Sequence, residues 1–444
     1  MRVQLFNSMT NKVELFQPIR EGEVSMYVCG PTVYGYVHIG NLRPVVTFDV
    51  LRRFLTHIGY KVTYISNITD VDDKIIKAAQ EEETTELELT RRYMENYFMC
   101  TDKIGSLRPT YTPLVTHNMD SMIAFVRRLE ETGFAYAVDG DVYFRVNKVD
   151  HYGQLANISI EDLRVGARVE ENKKKENPLD FALWKKTSEG ISWDSPWGEG
   201  RPGWHTECVV LINQIYEDGL IDIHGGGFDL KFPHHENEIA QAKACFGHSL
   251  ANYWMHNGFI NIDNVKMSKS IGNVRLAKDL LEEYDGPVLR LAMLTSHYRA
   301  PLNFTETVFD TAKKELAKII NPIRMANIRM QRFDLGYVDT VETGLMNRFL
   351  EALADDLNTA NALTVLFEVI KEINLVLRKN SRDKIPTLFN TAEEMLSLLG
   401  IFYERVVLTT EDIELFQQWE ELHLLGDYEH ADEIRQQLIE RGLL

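Results

Sequence analysis

The sequence predicts an α/β protein with a doubly wound parallel sheet, an insertion within that sheet, and a bundle of helices after it. Three observations predict this fold. Strand and helix patterns alternate at the start of the chain, the alternation is interrupted between residues 101 and about 200, and helical periodicity is almost continuous from residue 305 onward. Helices long enough to cross between strands favour a parallel sheet.

The alternation begins at a short apolar, β-prone run that ends in glycine, and it resumes after the interruption. The predicted elements of the sheet domain are strands at 24–30, 61–69, 220–227 and 252–262, and helices at 42–59, 73–82, 206–219 and 234–246. The interruption contains a helical pattern at 119–136, a hairpin-like stretch at 139–146 and a polar loop at 170–178. These features predict an inserted domain.

The last third of the chain predicts a helical bundle, because apolar residues recur at helical spacing. This pattern covers 304–328, 347–379 and 390–402, and 409–444 predicts two more amphipathic helices. We therefore predict a sheet domain in two halves (1–100 and 201–260), an inserted domain (101–200), a loop region (261–304), a bundle (305–402) and a small C-terminal helical region (403–444).

Composition excludes several classes of protein. With 48 basic and 66 acidic residues, the 444-residue chain carries a formal charge of −18, which argues against coating nucleic acid through bulk positive charge. Local basic patches remain candidates for phosphate binding: Arg52–Arg53, Arg127–Arg128, Lys173–Lys175, and Arg324 with Arg329 and Arg332. The four cysteines are too few and too scattered to predict a disulfide framework. A polar N-terminus and the lack of a long apolar run predict a cytoplasmic chain with no membrane segment.

The first motif, PTVYGYVHIGN at 31–41, follows a predicted strand and opens a helix. Ligands of α/β sheets bind at such places. Gly35 and Gly40 allow tight turns close to a phosphate, and His38 can donate a hydrogen bond to it beside the positive helix end. The alternative is a glycine-containing loop with a surface histidine.

The second motif is KMSKS at 266–270. Its two lysines, Lys266 and Lys269, lie among small hydroxyl residues and can stabilise the charge of a leaving pyrophosphate. Alone, the motif is equally a basic surface loop. The two motifs together resemble the paired motifs of class I aminoacyl-tRNA synthetases. Asn41 departs from that pattern, in which histidine is frequent, and we expect a tuned site because asparagine still offers a donor.

A third set of residues can bind a metal. Cys29 follows the first predicted strand, Cys208 lies in GWHTEC, and His234 and Glu238 are spaced i, i+4 and so share one helix face. Two thiolates, an imidazole and a carboxylate form a Zn²⁺ ligand set. His205, His224 and His235 are rival ligands on the same reasoning, and the alternative without metal is two buried core cysteines.

Six stretches in order resemble the cysteinyl-tRNA synthetase family, and they lie between residue 24 and about 300. They are VCGPTVY, NITDVDDKI, WDSPWGEGRPGWHTEC, DIHGGGFDLKFPHHENEIAQ, YWMH and KMSKSIGN. The resemblance implies a Rossmann-like catalytic domain with an inserted acceptor-end domain, a stem-contact region at 261–304 and an anticodon-side region at 403–444. It also implies that L-cysteine is joined to tRNA(Cys) through a cysteinyl-adenylate made from ATP.

The resemblance assigns residues to each substrate. It implies zinc ligands at Cys29, Cys208, His234 and Glu238; cysteine contacts at Cys29, Gly30, Thr69, Trp204 and His224; ATP contacts at Thr32, His38, Gly40, Asn41, Gly226 and Lys269; and catalytic roles for His38, Lys266 and Lys269. One Zn²⁺ per chain, Mg²⁺ with ATP and a monomeric protein are expected. Zinc suits the task, because a soft metal distinguishes a thiolate from an alcohol better than an apolar pocket does.

Several features keep alternatives open. Cys100 and Cys245 are expected to be packing residues, and the acidic cluster at Asp70–Asp73 is expected to cap a helix rather than bind Mg²⁺. For Gly225–Gly227 we expect close approach to an adenosine. Rival functions are a cysteine-activating ligase that acts on an aminosugar amine, and a non-catalytic tRNA- or zinc-binding relative. Family members usually continue into a tail with Trp and Arg, so the anticodon-side region is expected to be either naturally short or cut.

Overall fold

The computed structural model describes residues 1–158, 174–267, 271–379 and 381–444. It divides into two compact units. The first contains Met1–Gly286 and Tyr298–Thr305, and the second contains Pro287–His297 and Glu306–Leu444. No helix in the described part of the chain is long and apolar enough to cross a membrane.

A parallel sheet forms the centre of the first unit. Its strands lie in the order β10–β9–β3–β4, and all three neighbouring pairs are parallel. This arrangement confirms the predicted fold class. The strands of this unit are β1 (Gln4–Asn7), β2 (Lys12–Leu15), β3 (Glu23–Val28), β4 (Lys61–Ile65), β5 (Ala135–Val138), β6 (Asp141–Phe144), β7 (Phe181–Lys186), β8 (Gly200–Pro202), β9 (Ile221–Gly227), β10 (Ala251–Asn257), β11 (Ile260–Ile262), β12 (Val265–Lys266) and β13 (Leu302–Phe304).

Helices cover the parallel sheet, and this explains why its strands are apolar rather than alternating. Five of the six residues of β3 are buried. The helices are α1 (Ile39–His57), α2 (Asp73–Glu81), α3 (Glu86–Lys103), α4 (Met119–Glu131), α5 (Glu207–Ile215), α6 (Glu236–Phe246) and α7 (Ala277–Glu283). Gly225 lets α1 approach β9 closely, because a Cβ there would lie 2.1 Å from the Phe48 ring. A packing role therefore explains Gly225, which we expected beside an adenosine.

The region that interrupts the strand–helix alternation, between residues 101 and about 200, contains an antiparallel sheet in the order β5–β6–β7–β8. The predicted hairpin-like stretch at 139–146 contains β6 and the turn before it, whereas β5 begins inside the predicted helix 119–136, so α4 is shorter than predicted. The predicted polar loop at 170–178 lies largely outside the described residues. A last small sheet pairs β11 with both β12 and β13. The buried Arg43 of α1 donates to the carbonyls of Gly258, Phe259 and Ala300 beside this sheet.

The second unit is helical, as the periodicity predicts. Its helices are α8 (which begins at Gly286, at the unit boundary, and ends at Leu294), α9 (Glu306–Arg332), α10 (Thr343–Ala354), α11 (Thr359–Arg378), α12 (Ile385–Leu399), α13 (Thr410–Leu425) and α14 (Tyr428–Glu440). The predicted helical stretch 347–379 is divided between α10 and α11. Asp356 and Leu357 have positive φ there, and the Asn358 side chain caps α11 by accepting from the N–H of Asn361.

Candidate active site

A cavity of about 460 Å³ opens in the first unit where β3 ends. The carboxyl edge of a parallel sheet is where α/β folds bind ligands. The cavity is lined by residues of the first motif and of the proposed metal set, together with the start of the second motif: Cys29, Gly30, Thr32, His38, Gly40, Asn41, Trp204, Gly227, Lys266 and Met267. Candidate ATP, cysteine and metal contacts therefore lie around one space.

The His38 loop is held by the start of α1. His38 precedes the helix in extended conformation, and its N–H donates to Oδ1 of Asn41 at 3.0 Å. Asn41, where related motifs often have histidine, therefore provides an acceptor that caps the helix, and it also lines the cavity. A side chain at Gly40 would have to displace its neighbours, because a Cβ would lie 2.8 Å from Cε of Met267 and 2.9 Å from Nδ1 of His38. Glycine thus lets the histidine ring and the methionine approach the helix end.

Four chain segments bring the proposed metal ligands together. Cys29 follows β3, Cys208 is in the first turn of α5, and Glu238 is in the first turn of α6. His234 lies in the irregular turn before α6, so it does not share a regular helix with Glu238, yet its Nε2 is 2.8 Å from Oε1 of that residue.

The ligand atoms of these four residues lie within 4.8 Å of one another. Sγ of Cys29 is 3.7 Å from Sγ of Cys208 and 3.8 Å from Oε1 of Glu238. Sγ of Cys208 is 3.7 Å from Nε2 of His234. Two sulfurs, a nitrogen and a carboxylate oxygen that converge in this way fit a thiophilic metal ion, and the site can hold one.

Contacts within the cluster favour the anionic forms of Cys29 and Glu238 but not of Cys208. Burial raises the pKa of the Cys29 thiol, but its hydrogen bond with Cys208 and the charges of His235 and His234 together lower the pKa well below its usual value. Burial and the same contact raise the pKa of Cys208. Burial raises the pKa of Glu238 too, but the charges of His224 and His234 hold it well below its usual value. Burial lowers the pKa of His234, yet Glu238 and Cys29 raise it to about 10. Without a metal, therefore, protons occupy part of the ligand set.

Further histidines surround the cluster, and their positions show which of the rival ligands lie close to the proposed metal ligands. Nε2 of His224 is 2.7 Å from Oε2 of Glu238, and Nε2 of His235 is 3.3 Å from Sγ of Cys29. Both therefore belong to a second possible ligand group with Cys29 and Glu238. His205 instead faces the other side of His234, with their Nδ1 atoms 3.0 Å apart. It therefore supports a ligand and does not point at the shared centre.

Thr69 and Gly30 are fixed by buried contacts beside the cluster. Oγ1 of Thr69 donates to Oε2 of Glu207 at 2.6 Å, and Nδ2 of Asn67 donates to the same hydroxyl at 3.3 Å. The N–H of Gly30 donates to Oδ1 of Asn67 at 3.0 Å. A Cβ on Gly30 would lie 1.6 Å from the Asn67 carbonyl oxygen, so only glycine fits this close approach of two strand ends.

The lysine-bearing wall is partly described. Nζ of Lys266 lies 3.7 Å from the centre of the Phe259 ring, a cation–π distance that holds the charge at the cavity wall. Lys269 lies outside the described residues, so its expected contact with ATP stays a prediction.

Comparison with known protein families identifies two matching regions. Residues 15–314 match the model described as "tRNA synthetases class I (C) catalytic domain", and residues 348–403 match the DALR domain. A cysteine–tRNA ligase from Halalkalibacterium halodurans is 45% identical over 454 residues, covering 100% of this chain and 97% of that protein. One from Oceanobacillus iheyensis is 46% identical over 456 residues, with the same coverage.

The chain belongs to the cysteine–tRNA ligase family. Solved structures agree at the level of the fold. Methionyl-tRNA synthetase from Mycobacterium tuberculosis matches with a TM-score of 0.59 at 14% identity, over 85% of this chain and 89% of that one. A putative arginyl-tRNA synthetase from Campylobacter jejuni matches with a TM-score of 0.56 at 15% identity, over 88% of this chain and 95% of that one.

In this member of the cysteine–tRNA ligase family, the predicted cysteine contacts divide into two groups. Cys29, Gly30 and Trp204 line the cavity, and the Trp204 ring stacks on His234 with centroids 4.1 Å apart. Thr69 and His224 are buried behind them, bonded to the carboxylates described above. Neither of these two residues lines the cavity, so their expected contact with cysteine stays a prediction.

Among the predicted ATP contacts, Thr32, His38, Gly40 and Asn41 line the cavity. In the glycine run, Gly227 lines the cavity. The predicted contact Gly226 does not line it and packs instead against Leu230 and His235, which a Cβ at this position would meet. Within the acidic cluster, Asp72 caps a helix as expected, because its side chain accepts from the N–H of Lys74 at the start of α2.

Sequence reasoning did not single out Glu207 or His256. Glu207 is 1% exposed beside Thr69, and His256 joins His235 to Ser8 through ring contacts of 2.9 and 2.8 Å. The available signal was weak. Glu207 is next to a proposed ligand in GWHTEC and His256 ends YWMH, but only the fold shows that both reach the same cluster.

Proposed function

We propose that this protein activates L-cysteine with ATP and transfers it to tRNA(Cys), with a zinc ion selecting the cysteine thiolate. One observation carries the proposal: Cys29 lines the cavity that is also lined by His38 and Gly40. A residue proposed to bind the metal and residues proposed to bind the phosphates therefore border one space. The family match supports cysteine and tRNA as substrates, and the ligand cluster supports the metal.

In the first step, an oxygen of the cysteine carboxylate attacks the α-phosphorus of ATP, and pyrophosphate leaves. We assign the phosphates to His38 at the start of α1 and to the lysines of the second motif, with ATP entering as its Mg²⁺ complex. In the second step, the 2′-hydroxyl of the terminal adenosine attacks the cysteinyl carbonyl, and AMP leaves. Catalysis rests on positioning and charge stabilisation.

We assign the metal ligands as Cys29, Cys208, His234 and Glu238, because this group uses both sulfurs. Bound zinc would supply a thiophilic centre that prefers a thiolate to the alcohol of serine. His224 holds the second oxygen of Glu238 at 2.7 Å and so keeps this carboxylate oriented. Four protein ligands usually close a zinc site, so the substrate thiolate would have to bind as a fifth ligand or replace one of the four. Glu238 is the ligand that would compete least well with a thiolate.

Pyrophosphate exchange tests the proposal. The purified chain should exchange pyrophosphate into ATP in the presence of cysteine, much less with serine, and should lose this activity on treatment with a zinc chelator and regain it with zinc. It should then charge tRNA(Cys). Exchange that needs no cysteine, or ligation of cysteine to an aminosugar without any charging of tRNA, would refute it.

A further inference from the structure

Three buried side chains form a hydrogen-bonded series that ends at the sulfur of Cys29. Oγ of Ser8 is 2.8 Å from Nδ1 of His256, and Nε2 of His256 is 2.9 Å from Nδ1 of His235. The other nitrogen of His235, Nε2, is 3.3 Å from Sγ of Cys29. Ser8, His256 and His235 are 6%, 4% and 0% exposed. We call these three residues the Ser8 network. It connects the turn after β1 to a proposed metal ligand.

The backbone holds the members of the Ser8 network in place. The N–H of Ser8 donates to the carbonyl of Trp254 at 2.8 Å, so the serine lies against β10, the strand that carries His256. Gly226 on the neighbouring strand leaves room for the ring of His235, because a Cβ there would lie 3.1 Å from Cε1 of that ring. The three side chains are therefore fixed relative to one another by the sheet.

The hydrogen bonds of the Ser8 network can point in two directions only while Cys29 carries a hydrogen. A contact between two ring nitrogens holds one hydrogen, and a serine hydroxyl can donate or accept. Both rings are buried, where a charge would be costly, so each ring carries a single hydrogen. A neutral Cys29 thiol can donate to His235, and every bond then points toward Ser8.

A metal ion on Cys29 leaves only the opposite direction. A metal-bound cysteine is a thiolate, which can accept a hydrogen bond but has no hydrogen to donate. Nε2 of His235 must then carry the hydrogen, and its Nδ1 must accept from His256. Nδ1 of His256 must in turn accept from the Ser8 hydroxyl. Ser8 is therefore the last donor of the network, and it supports the N–H that reaches the sulfur.

We propose that Ser8 and His256 are positioning residues that hold the N–H of His235 on the metal-bound sulfur of Cys29. The inference rests on the proposed function, in which this sulfur binds zinc. A hydrogen bond from outside the ligand set stabilises the negative charge of the buried thiolate, and it draws electron density away from the sulfur. Zinc then keeps more of its capacity to bind a further thiolate, which is that of the substrate.

A purely structural role for Ser8 makes a different prediction. The loss of a buried hydrogen bond costs stability wherever the serine lies. Ser25 of β3 provides the comparison, since it is 8% exposed and its hydroxyl donates to Oδ2 of Asp222 at 2.6 Å. Ser25→Ala should therefore lower the melting temperature and leave the metal centre unchanged. If Ser8 only fills a structural role, Ser8→Ala should behave in the same way.

Metal binding by the full-length protein tests the inference. Ser8→Ala should weaken zinc affinity about tenfold in competition with a chelator, the lower end of the effect of outer-shell partners. With Co²⁺ in place of zinc, the sulfur-to-cobalt absorption should move to longer wavelength, because a sulfur without the hydrogen bond gives up its electrons more easily. KM for cysteine should rise, whereas KM for ATP should not change. Ser8→Thr keeps the hydroxyl and should restore all of these values.

The outcomes separate the inference from the proposed function. Ser25→Ala should match the wild type in zinc affinity and cobalt absorption, whatever its melting temperature. If Ser8→Ala matches them too, or if Ser8→Thr restores nothing, the Ser8 hydroxyl does not support the bond to sulfur, and the inference is wrong while the proposed function stands. If the wild type binds neither zinc nor Co²⁺, the proposed metal centre fails and the inference fails with it.

Discussion

Thr69 donates its hydroxyl to Glu207 at 2.6 Å, and both side chains are 1% exposed. This contact joins two residues from opposite halves of the sheet domain, behind the wall that Trp204 and Cys29 form. Burial raises the pKa of Glu207 well above its usual value, in spite of the hydrogen bond from Thr69. Burial therefore favours the neutral form of Glu207, and this side chain accepts from the threonine and orients it.

Replacing Glu207 tests this positioning role. Glu207→Ala leaves the Thr69 hydroxyl without its acceptor and should cost about 1–3 kcal/mol of stability. It should also raise KM for cysteine. Glu207→Gln is neutral, has the same shape and retains an acceptor, so it should keep both properties near those of the wild type. Urea unfolding and pyrophosphate exchange measure them. Equal damage by both substitutions would mean that the negative charge, and not the acceptor, is what matters.

Gly40 and Gly35 form a matched pair in the His38 loop. Gly40→Ala would place a methyl group against the His38 ring and Met267, so KM for ATP should rise and exchange should slow by at least tenfold. A Cβ on Gly35 meets nothing within 4 Å, so Gly35→Ala should be tolerated. Exchange kinetics with varied ATP provide the measurement. A harmless Gly40→Ala would show that the loop relaxes around the added group.

The fold was largely predictable from local patterns. The run at 24–30 and the helix at 42–59 correspond to β3 and α1, because apolar periodicity directly reflects burial. Boundaries were less predictable. The predicted strand at 252–262 is two strands, β10 and β11, which pair in different sheets, and nothing local shows that change of partner.

The site was predictable only where neighbouring residues carry the chemistry. His38, Gly40 and Asn41 occur in one motif, and all three line the cavity. The ligand set could not be chosen by spacing. Cys29 and Cys208 are 179 residues apart and meet only in the fold, and His234 and His235 are adjacent in sequence. The contact between Thr69 and Glu207 depends on packing between distant segments, for which one sequence has no local signal.

Substitution of cysteines distinguishes a metal centre from packing. Cys208→Ala removes a proposed ligand and should lower the bound zinc from about one per chain to a small fraction, since two sulfurs anchor the ion. Cys245 is also buried, but it lies outside the ligand groups, so Cys245→Ala should keep its zinc. Elemental analysis of the purified proteins provides the measurement. Retention of zinc by Cys208→Ala would remove this residue from the ligand set.

Zinc binding should release protons. Metal ligands must be deprotonated, and at pH 7 the apo cluster holds protons on His234, whose pKa is raised to about 10, and on Cys208, whose pKa is also raised. Binding should therefore release about two protons per zinc at pH 7, and affinity should rise as the pH increases toward 10. Calorimetry in buffers with different ionisation enthalpies measures this number. Binding without proton release would show that the ion is held by other groups.

Lys269 should carry more of the chemistry than Lys266. Lys266 is held over the Phe259 ring at the cavity wall, and this cation–π contact leaves its ammonium group less free to move onto a phosphate. The resemblance assigns Lys269 to the leaving pyrophosphate, and removal of one such electrostatic group typically costs about 10²–10³ in rate. Lys269→Ala should therefore slow cysteine-dependent exchange by about that factor, with KM for cysteine almost unchanged, because the thiol is bound elsewhere. Lys266→Ala should slow it less. If Lys269→Ala activates cysteine at the wild-type rate, the pyrophosphate is stabilised by other cations, and Lys266 would be the first to test.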